Sequence, residues 1–121
     1  MIGIGLDNVD VARFRDVLAR RPRLVERVFT PAEREECEKR SDPVPGLAAR
    51  FAAKEATMKA LGVGLGSFAM RDVEVLRAPS GAPRLVARGR AFEIAESAGV
   101  AELLVSLTHS GLVASAVVIA T

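Results

Sequence analysis

RFAAKEATMKALGVGLG, residues 50–66, decides how the rest of the chain is read. The pattern predicts a helix over Leu47–Leu61, stopped by glycines at the alternate positions Gly62, Gly64 and Gly66. No proline or glycine interrupts it, so its rise is roughly 22 Å. At 100° per residue, Leu47, Phe51, Met58 and Leu61 share one face, and Ala49, Ala53, Ala56 and Ala60 the opposite one. A surface helix shows one apolar stripe and one polar side. Two apolar faces, one bulky and one small, predict a helix packed on both sides. Two narrow polar seams separate them. Glu55 and Lys59 share one at i and i+4, within reach of each other, and Arg50 and Thr57 share the other. Lys54 falls in the middle of the bulky face, where a lysine is costly unless it snorkels or meets an anion. Two possibilities stand at this point. One is a buried helix with an ion pair. The other is a helix whose Glu55, Lys59 and Lys54 line a metal or phosphate site.

The surrounding composition narrows the choice. The 121 residues are half hydrophobic, enough for one domain with a real core. A formal charge of +2, with no Trp or Tyr, is too weak for nucleic acid and offers no stacking platform. The single cysteine, Cys37, excludes an internal disulfide or a cysteine-rich zinc site and is read as a packing residue. No 18-residue apolar run predicts a membrane span, and MIGIGLD lacks a signal-peptide n-region. A soluble, cytoplasmic protein is the expectation.

Residues 2–6 alternate Ile2, Ile4 and Leu6 against Gly3 and Gly5, predicting a strand with one apolar and one bare face. Glycines there mark close approach by a backbone or a ligand. Asp7 continues the bare face at the expected strand end. Asp7 or Asn8 can cap the next helix, and a carboxylate beside two glycines also leaves room for a metal. A helix is expected from Val9 to about Leu18, broken near Pro22. Arg13, Arg20 and Arg23 belong to a basic surface there, either simply solvated or docking an acidic partner. Thr30-Pro31-Ala32-Glu33 is a capping-box helix start, with the helix reaching Lys39 or Arg40. Those two cations can cap its C-terminus or contact an anion. Ser41–Gly46 is expected as a loop.

Downstream, 72–77 and 85–87 read as strands joined by a turn through Pro79, Ser80, Gly81 and Pro83. A helix over 90–98 ends at Gly99. Two β-branched runs, 103–108 and 113–119, are joined through His109-Ser110-Gly111. His109, the one histidine, shares a face with Leu103, Val105 and Leu107 and can be structural or functional. The class is α+β, a small antiparallel sheet packed on a long central helix.

No Walker-type G-x-x-x-x-G-K-S/T occurs, GIGLD lacks the third dinucleotide-binding glycine, and one His with one Cys gives a nucleophilic triad no distinctive support. Carboxylates with lysines remain. Asp7 and Glu55 are oxygen ligands of the kind Mg²⁺ takes beside phosphate, although spacing alone supports that weakly.

GIGLD at 3–7 and RFAAKEATMKALGVG at 50–64 resemble the two signature motifs of the 4′-phosphopantetheinyl transferases. The first motif is G-x-D at a strand end. The second is Trp/Phe-x-x-Lys-Glu-Ala/Ser-x-x-Lys on a helix, matched here by Phe51, Lys54, Glu55, Ala56 and Lys59. The chain length, the TPAE start, the S-G-x-P turn at 80–83 and SLTH at 106–109 are similar to the single-domain holo-acyl carrier protein synthase branch, so the resemblance spans nearly all of residues 1–121 as one domain.

The resemblance implies transfer of the phosphopantetheine arm of coenzyme A to a serine of apo-acyl carrier protein, releasing adenosine 3′,5′-bisphosphate. It implies Mg²⁺ on Asp7 and Glu55, and a catalytic part for Asp7, Glu55 and Lys59. Coenzyme A would lie along Arg50, Lys54, Lys59, Gly62, Gly81, Pro83, Thr108 and His109, some supplied by a neighbouring subunit. A homotrimer with sites between subunits is implied, as is docking of the acidic carrier protein on Arg13, Arg20 and Arg23. Two departures are local: Asn8 replaces an apolar residue after the motif aspartate, and Ser110 replaces an acid after His109. A non-catalytic coenzyme A-binding regulator is the alternative from another class, disfavoured by the intact Asp7, Glu55 and Lys59 set. A small basic nucleic-acid-binding module is disfavoured by charge and composition.

Overall fold

The computed structural model describes residues 2–121. Its elements run β1 (Gly3–Asp10), α1 (Val11–Arg20), α2 (Leu24–Val28), α3 (Pro31–Glu38), α4 (Val44–Ala60), a 3₁₀ turn at Met70–Asp72, β2 (Val73–Arg77), β3 (Pro83–Ala87), α5 (Gly89–Ser97), β4 (Leu103–His109) and β5 (Val113–Ala120). The α+β class holds, with two antiparallel sheets around α4 rather than one. The larger has the order β1-β5-β4, and β2-β3 forms the other. None of the described helices is long and apolar enough to cross a membrane.

The central helix starts three residues before the expected Leu47, inside the stretch 41–46 expected as a loop. Proline costs nothing in a first helical turn, where its missing N–H would have no intrahelical partner. Pro43 stands at the N-cap and Pro45 just inside, while the Asp42 carboxylate accepts from the Val44 N–H at 3.2 Å. At the other end Leu61 is the C-cap and Gly62 takes φ +72°, the left-handed turn glycine permits.

Both faces of α4 are covered, as the two-faced pattern predicts. Ala52, Ala53, Ala56 and Ala60 pack on Ala116, Val118 and Ala120 of β5. On the bulky side Leu47 joins Phe14, Val28 and Phe29, while Met58 joins Phe68 and Val73.

The strand β1 corrects two expectations. It runs on to Asp10, so Asp7 lies mid-strand rather than at its end. Asp10, and neither Asp7 nor Asn8, caps α1, accepting from the Arg13 N–H at 2.9 Å. The helix therefore begins at Val11 instead of Val9. The bare face is the buried one: a Cβ on Gly3 would lie 1.9 Å from the Ala60 carbonyl oxygen, and one on Gly5 1.9 Å from that of Ala56. The close approach marked by the glycines is that of a helix backbone. Ile4 and Leu6, on the other face, stay 57% and 58% exposed.

The capping box forms as expected. Thr30 Oγ1 accepts from the Glu33 N–H, and Glu33 Oε1 accepts from the Thr30 N–H at 3.0 Å. The short helix α2, between the Pro22 break and Thr30, has too few turns to show a period and was not expected.

Candidate active site

Packing the glycine face of β1 on α4 sets Asp7 against the Glu55–Lys59 seam. Lys59 is the hinge of the contact. Its ammonium donates to the Leu6 carbonyl at 2.9 Å and to Asp7 Oδ1 at 3.2 Å. It thus turns across to β1, and forms no salt bridge with Glu55, the helical neighbour within its reach. Glu55 is half-buried, and its carboxyl is pushed up from the ordinary value first by burial and then by the charge of Asp7, with Lys59 acting in the opposite sense. A carboxyl held in its neutral form by burial and by a neighbouring carboxylate marks a place where a hard cation is favourable. The donor set is all oxygen, with no group of three or more His, Cys, Asp or Glu gathered among the described residues. Such a set suits Mg²⁺, which takes one or two carboxylates and completes its shell with water and phosphate oxygens.

A second feature lies on the same helix. A cavity of about 240 Å³ is bordered by Lys39, Arg40, Arg50, Arg77, His109 and Glu36. Arg50 is only 7% exposed. Its Nη1 donates to the Gly46 carbonyl at 3.5 Å, and its Nε, among the described residues, has no hydrogen-bond partner. A buried guanidinium with an open donor, among other cations, is a seat for an anion. The inner row of β4 carries His109 to this cavity, across from Ala114 of β5. Cys37 is buried at its edge with its thiol pushed up by burial, in keeping with a packing role.

Lys54 requires a correction. The expectation that its ammonium emerges toward a phosphate is not met. Lys54 is 0% exposed. Its Nζ is 2.8 Å from Glu33 Oε1 and also donates to the carbonyls of Met70 and Val73. The group lies 5.7 Å from the centre of the Phe29 ring. All three N–H bonds are spent inside the molecule. The anion that a lysine on an apolar face demands is thus Glu33, 21 residues upstream.

The remaining expected site residues are dispersed within one chain. Gly62 follows the C-cap of α4 and faces open space, as does Gly81 with φ +91° at the tip of the β2–β3 turn. The Gly81 carbonyl accepts from Arg77, whose guanidinium also reaches Glu36 at 2.9 Å on the rim of the basic cavity. Pro83 opens β3 and borders a groove of about 560 Å³ between β3 and β4. Thr108 is on the outer, exposed row of β4, away from the α4 side. Arg13, Arg20 and Arg23 are all exposed. Arg15 beside them is paired with Asp42 at 2.7 Å, whereas Arg13, Arg20 and Arg23 make no side-chain ion pair among the described residues.

Sequence reasoning missed Arg77 as a cavity residue and Glu33 as more than a cap. Alternation along β2 marks which face Arg77 is on but not what lies beyond it. No local signal pairs Glu33 with Lys54.

Residues 3–117 match the model of the 4′-phosphopantetheinyl transferase superfamily. The holo-acyl-carrier-protein synthase of Moorella thermoacetica is 47% identical over 117 residues, covering 97% of this chain and 91% of that protein. That of Beutenbergia cavernae is 46% identical over 121 residues, covering 99% and 97%. Among solved structures, the holo-acyl-carrier-protein synthase of Neisseria meningitidis superposes with a TM-score of 0.90 at 29% identity, covering 100% of this chain and 98% of that one. The Helicobacter pylori enzyme in complex with coenzyme A gives 0.85 at 30% identity, covering 98% and 99%. With both motifs in place on β1 and α4 and the likeness running from end to end, the chain belongs to the 4′-phosphopantetheinyl transferase superfamily, within its holo-acyl-carrier-protein synthases.

Proposed function

We propose that this chain, as one transferase domain over 1–121, moves the 4′-phosphopantetheine group of coenzyme A onto a serine of apo-acyl carrier protein. The observation that carries this is the convergence of Asp7 from β1 with Glu55 and Lys59 from α4. A relative of the same fold binds coenzyme A. In the reaction the serine oxygen forms a bond to the phosphorus on the pantetheine side of the diphosphate. The P–O bond to the nucleotide breaks, adenosine 3′,5′-bisphosphate departs, and the serine proton passes to a base. Positioning and charge neutralisation supply most of such a rate enhancement. Mg²⁺ held by Asp7 and Glu55 would neutralise the diphosphate oxygens. Lys59, with its ammonium at Asp7, is placed to meet charge on the attacked phosphate. The cavity around Arg50 and His109 would take a phosphate on the nucleotide side of coenzyme A.

Incubation with coenzyme A, Mg²⁺ and apo-acyl carrier protein, followed by mass spectrometry, tests this directly. A phosphopantetheine mass addition is expected. No product with several carrier proteins would overturn it in favour of a coenzyme-binding regulator. Arg13, Arg20 and Arg23, without an ion pair among the described residues, supply the surface for an acidic carrier protein. Steering charges act mainly on encounter and orientation. Arg13→Glu with Arg20→Glu should therefore raise KM for the carrier protein by about tenfold or more and leave that for coenzyme A within about twofold. Equal changes in both constants would remove docking from this face.

The outer face of the three-stranded sheet supports a homotrimer. Ile2, Ile4, Leu6 and Leu104 are exposed there in one patch with the half-buried Val117 and Ile119. Such a face on a small protein marks an interface. The outward placement of Thr108, and the position of Gly62 outside the lining of the basic cavity, suit a coenzyme site completed by a neighbour. Sedimentation should report three chains of 12.8 kDa for the native protein, and Leu6→Glu should give monomers with little transfer activity. A fully active monomer would refute the shared site. A cytoplasmic location accords with this reading.

A further inference from the structure

We propose that Lys54 and Glu33 form a positioning pair that sets the rotation of α4 and so aims Glu55 at Asp7. This rests on the transferase reading above. Around the helix, Lys54 is roughly 160° from Ala56, the residue whose carbonyl sits against Gly5, and Glu55 is roughly 100° from both. The helix is therefore held from two nearly opposite sides, with the carboxylate in between. The alanine side sets how closely α4 approaches β1 but is smooth, and small side chains allow some rotation and sliding. The Lys54 side is directional.

The Lys54 ammonium has three fixed acceptors: Glu33 Oε1, the Met70 carbonyl and the Val73 carbonyl. Glu33 is itself immobile. It is 0% exposed, accepts from the Thr30 N–H at 3.0 Å and, through Oε2, from the Val75 N–H at 3.0 Å. The cap of α3, the core of α4, the 3₁₀ turn and β2 thus meet at one ammonium. Thr30 extends the web by donating to Glu74, which also pairs with Arg88. An apolar residue at position 54 would fill the space, but it would tolerate a range of helix rotations. Three hydrogen bonds to fixed atoms tolerate one. A buried pair of this kind is weak evidence for stability, so its use lies in orientation.

The alternative role for Lys54, direct contact with a coenzyme phosphate, makes opposite predictions. Lys54→Met should lower kcat about 30-fold while the dissociation constant for coenzyme A, measured by calorimetry without carrier protein, stays within about threefold. It should also weaken Mn²⁺ binding, read by isothermal titration, because the Asp7–Glu55 pair loses its relative aim. Adding Glu33→Gln to Lys54→Met removes the stranded buried charge while keeping an acceptor for the Thr30 N–H. Tm should rise, while kcat stays as low as in Lys54→Met because the directional bonds are still missing; a return to wild-type kcat would overturn the proposal. Glu33→Gln alone keeps the ammonium and touches no coenzyme, so it serves if Lys54→Met does not fold. It should lower kcat about tenfold with coenzyme affinity unchanged. A tenfold or greater loss of coenzyme affinity in Lys54→Met, with wild-type kcat in Glu33→Gln, would overturn the proposal and make Lys54 a phosphate ligand. Unaltered Mn²⁺ affinity in both single variants would overturn it as well. A wild-type protein that transfers nothing would sink the transferase reading instead, before any variant is compared.

Discussion

Glu55→Gln should lower kcat/KM for phosphopantetheine transfer by about 10³-fold or more, while the protein folds as well as before. The substitution keeps shape and volume and removes one charge of the Asp7–Glu55 pair. The effect on stability has a definite sign. Burial and the Asp7 charge hold the Glu55 carboxyl above its ordinary value. The folded state therefore binds that proton more tightly than the unfolded chain does. The favourable difference is present below the ordinary carboxylate range, near about 4.3 for glutamate. It is lost as pH rises through the raised value in the folded state. At pH 8 in a chelating buffer the native chain bears the full cost of ionised Glu55. Glu55→Gln should then match or exceed the wild-type Tm, and the gap should close as pH falls toward about 4. Adding Mg²⁺ should raise the wild-type Tm by mass action and leave that of Glu55→Gln almost unmoved. Near wild-type turnover in Glu55→Gln would remove Glu55 from the metal site. A large loss of Tm in chelator would show that the carboxylate is structural.

The sequence made α4 legible because an uninterrupted run with two distinct faces has few other solutions. Its start was not legible, since Pro43, Pro45 and Gly46 look like loop residues until their place in a first turn is known. The capping box at Thr30 and Glu33 was legible because it closes over three residues. The second bond of Glu33, to Lys54, spans the packing of α3 on α4, and no periodicity encodes it. Lys54 did signal that an anion must lie nearby, but the sequence offered several acids and a phosphate. The approach of Asp7 to Glu55 has the same character. The glycines announced a close neighbour without saying which, and the motif resemblance, rather than the spacing, brought the two carboxylates together. Alternation in β1 separated its faces correctly. Which one is buried depends on α4 lying over the glycines, a tertiary fact that leaves Ile4 and Leu6 outside.

Gly5→Ala should prevent the chain from reaching its native packing. The added Cβ would stand 1.9 Å from the Ala56 carbonyl oxygen and 2.8 Å from the Ala60 backbone nitrogen. Neither is the end of a flexible side chain that can swing away, so strand and helix would have to separate. Overpacking a core typically costs about 1–3 kcal/mol, and a clash with helix backbone belongs at or above the top of that range. That is a large fraction of the about 5–15 kcal/mol that holds a domain folded. Mostly insoluble protein, or a soluble fraction with a sharply lowered Tm, is the expected outcome. Gly64→Ala is the matched control. A Cβ there meets nothing within 4 Å and the backbone is not left-handed, so Tm should hardly change. A wild-type Tm for Gly5→Ala would show that β1 and α4 do not touch through their backbones. The site depends on the same spacing, because Lys59 reaches the Leu6 carbonyl and Asp7 only across that contact. Any Gly5→Ala protein that does fold has moved β1 outward, taking Asp7 away from Glu55. It should bind coenzyme A through the Arg50 cavity, yet transfer phosphopantetheine far more slowly.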